Sequence, residues 1–358
     1  MRVVFFVHSL VSDWNHSSAH FLRGVASELV ARGHEVRVFE PRTSLQDLLS
    51  AGGEVLTGFR AAYPTLASQR YDAAVLDLDR ELSGARLVIV HERNDPALVR
   101  RIGRHRREGG AYRLLFYDTH HRSAVRAPDL ADFDGVLAAG AALRDLYGKR
   151  GWAGRAWTWP EAADVRVFYP RGVENREGEV VWLGNWEDGA RAAALREYLT
   201  GPVRELGLFA RVYGPRFPEA GLRALAEAAI DHAGWVPNYE VPRLFARFAV
   251  TLHLPRRLSF EAHPSTPSIL AFEALACGIP LISAPWEDRD GLFRAGQDYL
   301  MAHNGEEMKL LLRDLLHDPA MAAELARSGR EALLSRHTCR HRVNELMEIE
   351  REIREGRS

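Results

Sequence analysis

Residues 264–283, PSTPSILAFEALACGIPLIS, contain the local pattern that decides the fold of this chain. An apolar run at 250–254 precedes them and predicts a strand, and the helical spacing that follows predicts a helix over 267–277. The apolar residues at 280–283 predict the next strand. A strand, a helix and a second strand in this order are typical of parallel α/β proteins.

The same alternation of apolar runs and helical patterns continues along the chain. Runs of this kind predict strands in two groups, 3–8, 36–39, 73–77, 87–91, 113–117 and 134–138 in the first, and 180–183, 211–213, 250–254 and 280–283 in the second. The second group is interspersed with expected helices near 189–200, 218–230, 240–248 and 267–277. In the first group, a helix is expected to be capped by Ser17 or Ser18 and ended by Gly33. Continuous apolar strands are typical of parallel sheets buried on both faces, so each group predicts one such sheet.

The segment 161–178 interrupts this rhythm with proline, glycine and several charges, and we interpret it as a linker between domains. At 358 residues the chain exceeds one average domain. We therefore expect an N-terminal Rossmann-like domain at 1–165, a C-terminal Rossmann-like domain at 166–335, and a final helix at 336–358 that packs back on the N-terminal domain.

The composition argues against several classes of protein. A formal net charge of -1 gives no sign of a nucleic-acid partner. Cys277 and Cys339 are the only cysteines, too few for a disulfide framework, which indicates a reducing compartment. The apolar start of the chain is too short for a signal peptide or a membrane span. With only Lys149 and Lys309 as lysines, a Schiff-base enzyme is disfavoured, and we expect a cytoplasmic protein without a membrane span.

The start of the 267–277 helix is suited to binding an anion, because a helix N-terminus attracts negative charge. Three backbone N–H groups are expected to be free there, those of Thr266, Ser268 and Ile269. Arg256 and Arg257, at the end of the preceding strand, would add charge-assisted hydrogen bonds to a phosphate. Glu273 lies further along the helix, in reach of the hydroxyls of a ribose. The alternative is an ordinary capped helix with Glu273 in solvent and a buried cysteine.

The loop at 12–20 follows the first strand and is therefore expected at the carboxyl edge of the first sheet. It lacks the glycine pair of a dinucleotide fingerprint, which argues against an NAD enzyme. Asp13 and His16 are titratable groups suited to removing a proton from a substrate hydroxyl. The alternative is a polar loop that only caps the following helix or binds a ligand.

The spacing of candidate metal ligands gives only weak support for a metal site. His16 and His20 have the spacing of zinc ligands on a helix, but the glutamate of a His-Glu-x-x-His motif is absent. His120 and His121 would have to supply the further ligands of a metal site, and the protein would then be a metal hydrolase. A further set lies in a helical tail, where its side chains would not converge on one ion: His337, Cys339 and His341. Two Asp-x-Asp motifs are interpreted as solvated turn residues, Asp77 and Asp79 at the end of an early strand, and Asp288 and Asp290 in a later loop. We expect no metal and no cofactor.

Residues 272–283, FEALACGIPLIS, resemble the donor-site signature of retaining glycosyltransferases with the GT-B fold. The resemblance is closest to the spore-maturation-protein (CgeB-type) glycosyltransferases, which are related to the group 1/family 4 retaining enzymes. Further similar segments occur in the same order over most of the chain: 118–122, 161–170, 182–186, 234–237 and 291–341. The resemblance implies the GT-B fold, in which two Rossmann-like parallel α/β domains face each other across a cleft and a C-terminal helix crosses back to the N-terminal domain.

The resemblance also implies a bacterial transferase that moves a sugar from a UDP-, GDP- or TDP-sugar to an acceptor hydroxyl, which the sequence does not identify. The N-terminal domain would bind the acceptor. His120 lies in the segment implied to face the donor sugar, and joins Asp13 and His16 as a predicted catalytic residue. The C-terminal domain would bind the donor through Asn185, Trp235, Val236, Arg256, Arg257, Ser265, Thr266, Ser268, Ile269 and Glu273.

The sequence departs from the family pattern at one position. The broader retaining class carries two glutamates with seven residues between them, and both contact the donor. Glu273 matches the second glutamate, whereas the first falls at Ser265, and the nearby Glu261 has a different spacing. The prediction that the anomeric configuration is retained therefore rests on the resemblance as a whole and not on this pair of glutamates.

Two rival classes of function stay open. A nucleotide-sugar epimerase or hydrolase on the same fold would consume the donor without an acceptor, and a non-catalytic binding protein would bind it without turnover. The sequence leaves open the nucleotide base, the sugar, the acceptor and the oligomeric state, including a homodimer.

Overall fold

The computed structural model of the chain describes residues 1–12, 18–45, 54–119, 129–172, 175–186, 189–255 and 267–356. The chain forms two compact units. Unit 1 consists of Met1–Asp164 together with Cys339–Ser358, and unit 2 of Val165–Thr338. The functional roles predicted for the domains at 1–165 and 166–335, acceptor and donor binding, stay predictions.

Unit 1 is built on a parallel sheet. Its strands are β1 (Arg2–Phe6), β2 (Glu35–Pro41), β3 (Ser68–Tyr71), β4 (Ala85–His91), β5 (Arg113–Asp118), β6 (Gly135–Ala138) and β7 (Ala156–Thr158). They pair in the order β3-β2-β1-β4-β5-β6-β7, and every pair is parallel. The order reverses between β1 and β4, which makes the carboxyl ends of these two strands the topological switch point of the sheet.

Helices surround this sheet: α1 (Ala19–Ala31), α2 (Glu54–Ala62), α3 (Leu78–Glu81), α4 (Pro96–Arg107) and α5 (Ala141–Tyr147). A C-terminal helix, Cys339–Glu355, packs against α1. Gly24 of α1 makes this close approach possible, because a Cβ atom added there would lie 2.8 Å from Asp164 Cβ and still closer to Cys339 Sγ. The final helix of the chain is therefore part of unit 1.

Unit 2 contains a second parallel sheet. Its strands are β8 (Gly178–Leu183), β9 (Ala210–Tyr213), β10 (Asp231–His232), β11 (Phe248–His253), β12 (Leu281–Ser283) and β13 (Leu300–Met301), in the order β10-β9-β8-β11-β12-β13. The helices are α6 (Ala190–Leu195), α7 (Gly201–Leu206), α8 (Glu219–Glu227), α9 (Val241–Phe245), α10 (Ile269–Cys277), α11 (Gly305–His317) and α12 (Pro319–Arg336). The core includes buried apolar side chains from the central strands, such as Val180, Trp182, Leu252 and Ile282.

The predicted fold class is confirmed, because both groups of apolar runs form parallel α/β sheets. The strand predicted at 73–77 is wrong. The strand that pairs with β2 is β3, an edge strand in which Gln69 and Arg70 are exposed, so an apolar run does not mark it. The apolar residues at 73–77 instead form a turn that leads into α3, and Val75 is 78% exposed.

Smaller corrections concern helix ends. The helix predicted over 267–277 begins at Ile269, two residues later than expected. The side chain of Ser18 makes no capping hydrogen bond to α1, and Ser17 lies outside the described residues. Gly33 follows α1 with a φ of 78°, the left-handed conformation that ends a helix. No helix in the described part of the chain combines the length and the hydropathy that a membrane span requires.

The packing at Gly24 gives a first prediction. Gly24→Ala should lower the free energy of unfolding by about 1–3 kcal/mol, because the added methyl group has no room between α1 and the C-terminal helix. Gly148→Ala is the matched control, since nothing lies within 4 Å of its Cβ position and its backbone is helical. Urea unfolding of both variants checks this, and equal stabilities would contradict the packing described here.

Candidate functional site

The carboxyl edge of the sheet in unit 2 brings several polar side chains together. Strands β8 and β11 are neighbours, and the strand order reverses between them. In parallel α/β sheets, ligands bind in the crevice outside the carboxyl ends of strands at such a reversal. The segments that follow these two strands, 184–186 and 254–255, therefore border the candidate site.

Glycines allow the loops after β8, β9 and β10 to approach one another. Gly184 N–H donates to Tyr213 O at 2.9 Å, and Gly214 N–H donates to Gly234 O at 2.9 Å. A Cβ atom on Gly214 would overlap the backbone of Gly184, so only glycine fits there. The loop after β10 carries two residues predicted to contact the base, Trp235 and Val236, and both are half-buried. The predicted donor residue Asn185 directly follows Gly184.

His253, the last residue of β11, is buried in a directed chain of hydrogen bonds. Its Nδ1 lies 2.8 Å from the hydroxyl of Ser283, which in turn donates to Ala284 O at 2.7 Å. Since the hydroxyl hydrogen is used there, Nδ1 carries the imidazole hydrogen and Nε2 is an acceptor. Nε2 accepts the backbone N–H of Ser268 at 3.2 Å. Burial, with a smaller contribution from the charge of Arg191, lowers the pKa of His253 to about 3, so the ring is neutral at physiological pH.

This chain of bonds corrects one prediction about helix α10. The backbone N–H of Ser268 is not free, because His253 accepts it. The N–H of Ala271 donates to Ser268 O at 3.0 Å. Within the described residues, the N–H groups of Ile269 and Leu270 are the ones in the first turn without an acceptor, as expected for a helix N-terminus. The role predicted for Ile269 in anion binding stays a prediction.

Glu273 lies one turn into α10 and is 3% exposed, so the alternative of a glutamate in solvent is wrong. Its Oε1 accepts a hydrogen bond of 2.6 Å from Nδ2 of Asn238. Asn238 directly follows the 234–237 segment and was not predicted from the sequence. The hydrogen bond therefore links the carboxylate predicted to hold a ribose to the loop predicted to contact the base.

Arg191 of α6 is a second site residue that was not predicted from the sequence. Its Nη1 donates to Leu254 O at 2.6 Å and to Pro255 O at 3.3 Å. Its guanidinium carbon lies 5.5 Å from the ring centroid of Trp182. Arg191 thus anchors the chain where it leaves β11, immediately before the segment with Arg256 and Arg257.

Several predicted site residues lie outside the described residues, and their roles stay predictions. They are Asp13, His16, His120, Arg256, Arg257, Ser265 and Thr266. His121 and Glu261, named above as alternatives, also lie there.

The switch point of unit 1 is bordered by His8, Glu92 and Thr119, which follow β1, β4 and β5. Thr119 Oγ1 donates to Glu92 Oε1 at 3.1 Å. Burial lowers the pKa of His8, as does the charge of Arg93, against the opposing effect of Glu92 and Glu40. These groups lie at the carboxyl edge where the acceptor is predicted to bind.

The candidate metal ligands do not converge in the described residues. His20 is fully buried and its Nε2 accepts the backbone N–H of Asp164 at 2.9 Å, as in a core histidine whose hydrogen bonds are satisfied. Asp77 does not end a strand but caps α3, accepting from Arg80 N–H at 3.1 Å. Asp288 accepts from Phe293 N–H at 2.9 Å. Within the ranges described, no group of three His, Cys, Asp or Glu residues could hold a metal ion.

Comparison with known proteins supports the architecture. Residues 194–348 match the sequence model of a family described as glycosyl transferase-like. The structure of the Anabaena protein HepE in complex with UDP-glucose is similar, with 13% identity and a TM-score of 0.66 over 97% of this chain and 99% of that chain. An alpha-glucosyltransferase in complex with UDP and a 13-mer DNA has 13% identity and a TM-score of 0.67 over 98% and 99% of the two chains. Sucrose-phosphate synthase from Thermosynechococcus elongatus has 13% identity and a TM-score of 0.63 over 99% of both.

At this level of identity the solved structures show the fold alone, and comparison with curated proteins gives no match. The chain has the GT-B fold of glycosyltransferases, as predicted. The part of the chain that matches the glycosyl transferase-like family model includes the described site residues from Trp235 to Glu273. The finer resemblance to CgeB-type enzymes stays a prediction.

The buried imidazole gives a second prediction. Folding lowers the pKa of His253 from 6.5 to about 3. The neutral imidazole therefore makes its full contribution to the free energy of unfolding above pH 6.5, and this contribution is lost as the pH falls from 6.5 towards 3. Lowering the pH below 6.5 should therefore reduce the free energy of unfolding more in the unmodified protein than in His253→Gln. The difference between the two proteins should grow by up to about 1.4 kcal/mol for each pH unit. Urea unfolding between pH 7 and pH 5 measures both slopes. Equal slopes would contradict the neutral, hydrogen-bonded histidine.

Proposed function

We propose that this protein is a glycosyltransferase that moves a sugar from a nucleotide-sugar bound to unit 2 onto an acceptor hydroxyl. The observation that carries the proposal is the buried carboxylate of Glu273, oriented by Asn238 beside the start of a helix at the switch point of the sheet. Such a site offers groups for both parts of a nucleoside diphosphate, amides for the phosphates and a carboxylate for the ribose. The match of residues 194–348 to a glycosyl transferase-like family supports the same assignment.

The donor diphosphate binds at the N-terminus of α10. The N–H groups of Ile269 and Leu270 and the positive end of the helix dipole stabilise its charge. Arg256 and Arg257 add charge-assisted hydrogen bonds, and Thr266 adds a further backbone donor. Ser268 contributes through its hydroxyl, since its backbone N–H is bound to His253.

The nucleoside binds beside this helix. Glu273 accepts hydrogen bonds from the ribose hydroxyls, while Trp235 and Val236 border the base. Asn185 and Ser265 contribute to binding of the donor. The bound nucleotides in the HepE and alpha-glucosyltransferase structures make a UDP-sugar the first donor to test.

In the transfer step, the bond between the anomeric carbon and the diphosphate oxygen breaks, and a bond from the acceptor oxygen to the same carbon forms. The proton of the acceptor hydroxyl passes to one of the predicted catalytic residues, Asp13, His16 or His120, or to the departing phosphate. The negative charge that develops on the diphosphate is stabilised by the amides of α10 and by the arginines, so the reaction needs no divalent metal. The acceptor binds unit 1, and the resemblance to retaining enzymes favours a retained configuration.

Calorimetric titration with UDP, GDP, TDP and ADP in EDTA tests the donor site. We expect one of these nucleotides to bind, and Glu273→Gln to raise its dissociation constant roughly 10- to 100-fold, because a hydrogen bond to a charged group contributes about 1.5–3 kcal/mol. The control Glu227→Gln, at the exposed end of α8, should bind as the unmodified protein does.

The same titration on two Asn238 variants tests how the carboxylate is oriented. Asn238→Ala removes the donor of the 2.6 Å hydrogen bond, and Asn238→Asp places a second carboxylate against Glu273. Both should weaken binding, and the aspartate at least as strongly as the alanine. Binding that appears only with added metal, or that none of these variants weakens, would overturn the proposed site.

A further inference from the structure

Two opposite charges are completely buried in unit 1, those of Arg23 on α1 and Glu40 at the end of β2. Burial of a charge away from water is costly unless hydrogen bonds and a counter-charge compensate it. Both side chains bind the same short segment, Leu10 and Val11, just beyond β1.

Glu40 binds the N–H side of this segment. One carboxylate oxygen, Oε2, accepts the backbone N–H of Leu10 at 2.8 Å and that of Val11 at 3.4 Å. The hydroxyl of Ser9 lies 3.4 Å from the same oxygen. The other oxygen accepts a short hydrogen bond from Ser68 of the neighbouring strand β3.

Arg23 binds the carbonyl side. Its Nε donates to Leu10 O at 2.7 Å and its Nη2 donates to Val11 O at 2.9 Å. The guanidinium carbon lies 5.2 Å from the ring centroid of Phe59 and 5.4 Å from that of Tyr63, two aromatic faces that fix its plane.

The backbone of Leu10 and Val11 is therefore held by a carboxylate through its N–H groups and by a guanidinium through its carbonyls. Hydrogen bonds with one ionised partner are about twice as strong as neutral ones. Leu10 and Val11 are themselves buried, and they lie beyond β1, at the switch point of unit 1. His8 lies two residues before Leu10, and its pKa is lowered by burial and by the charge of Arg93, against the opposing effect of Glu92 and Glu40.

We propose that Arg23 and Glu40 are positioning residues that hold residues 8–12 in the geometry that attack on the donor requires, whether the attacking group is an acceptor hydroxyl or water. Neither contacts a substrate. They act through the backbone of Leu10 and Val11, which fixes His8 relative to Glu92 and Thr119. The proposal rests on the proposed transfer reaction, with the acceptor on unit 1 and the donor on unit 2.

The variants Glu40→Gln and Arg23→Lys test it in the full-length protein. Glutamine keeps the size of the side chain but loses the charge, and lysine keeps the charge but loses the two-pronged geometry. If one variant fails to fold, the other decides the outcome. Glu350→Gln is the matched control, because it removes a buried carboxylate from the C-terminal helix of the same unit.

Three measurements separate positioning from a purely structural role. Hydrogen exchange followed by mass spectrometry should show residues 8–12 exchanging about tenfold faster in both variants, because Glu40→Gln weakens the bonds to the N–H groups of Leu10 and Val11 and Arg23→Lys cannot keep both bonds to their carbonyls. The release of UDP from saturating UDP-glucose, with water as the acceptor, should slow by about tenfold or more, since small misplacements are costly. The dissociation constant for UDP should stay within about twofold of the unmodified value, because unit 2 is unchanged.

Faster exchange with unchanged UDP release would reduce the pair to a structural role and overturn the proposal. Unchanged exchange would overturn it as well, because the segment would then not depend on these charges. Equal effects in Glu350→Gln would show a general loss of stability and also contradict it. If the unmodified protein binds none of UDP, GDP, TDP and ADP, the proposed transfer reaction and the role of unit 1 in it fail, while the exchange data still report whether the charges hold residues 8–12.

Discussion

One hydrogen bond holds the start of helix α10 against the end of strand β11, from the backbone N–H of Ser268 to Nε2 of His253. The bond requires a neutral imidazole with its hydrogen on Nδ1, and Ser283 enforces this form because its own hydroxyl hydrogen is used by Ala284 O. His253 and Ser283 are directly paired in the sheet, so the arrangement is built into the register of β11 and β12. The position of the helix amides, and of Glu273 one turn later, depends on this contact.

The fold could be predicted from the sequence because most strands are buried on both faces and read as continuous apolar runs. The failure at 73–77 has the opposite cause. Strand β3 lies at the edge of the sheet and exposes Gln69 and Arg70, while the apolar residues after it belong to a turn. A strand at the edge of a sheet can pair through its backbone without apolar side chains, so a search for apolar runs does not find it.

The site was only partly predictable, and the reason is again physical. Glu273 and the helix start belong to one local pattern, which the sequence shows directly. Asn238, His253 and Arg191 were missed because each acts on a group that is distant along the chain, 35 residues away for Asn238 and Glu273, and 63 for Arg191 and Leu254. Such pairs arise from the parallel sheet, which brings the ends of strands together and leaves no spacing that a single sequence reveals.

The two units use different contacts to hold the segment that follows their central strands. Each must fix a loop beyond the carboxyl ends of its central strands, where the ladder of sheet hydrogen bonds has ended. Unit 1 uses a buried pair of opposite charges, Arg23 and Glu40, on the backbone of Leu10 and Val11. Unit 2 uses a neutral histidine on a helix N-terminus. A neutral anchor leaves the dipole of α10 and the neighbouring arginines to meet the charge of a diphosphate.

A crystal structure of the protein with UDP, grown in the presence of EDTA, is the most direct test of the central claim that the diphosphate binds at the start of α10. We expect phosphate oxygens within hydrogen-bond distance of the N–H groups of Ile269 and Leu270, and ribose hydroxyls that donate hydrogen bonds to the Glu273 carboxylate. UDP bound elsewhere, or a ribose that does not contact Glu273, would contradict it.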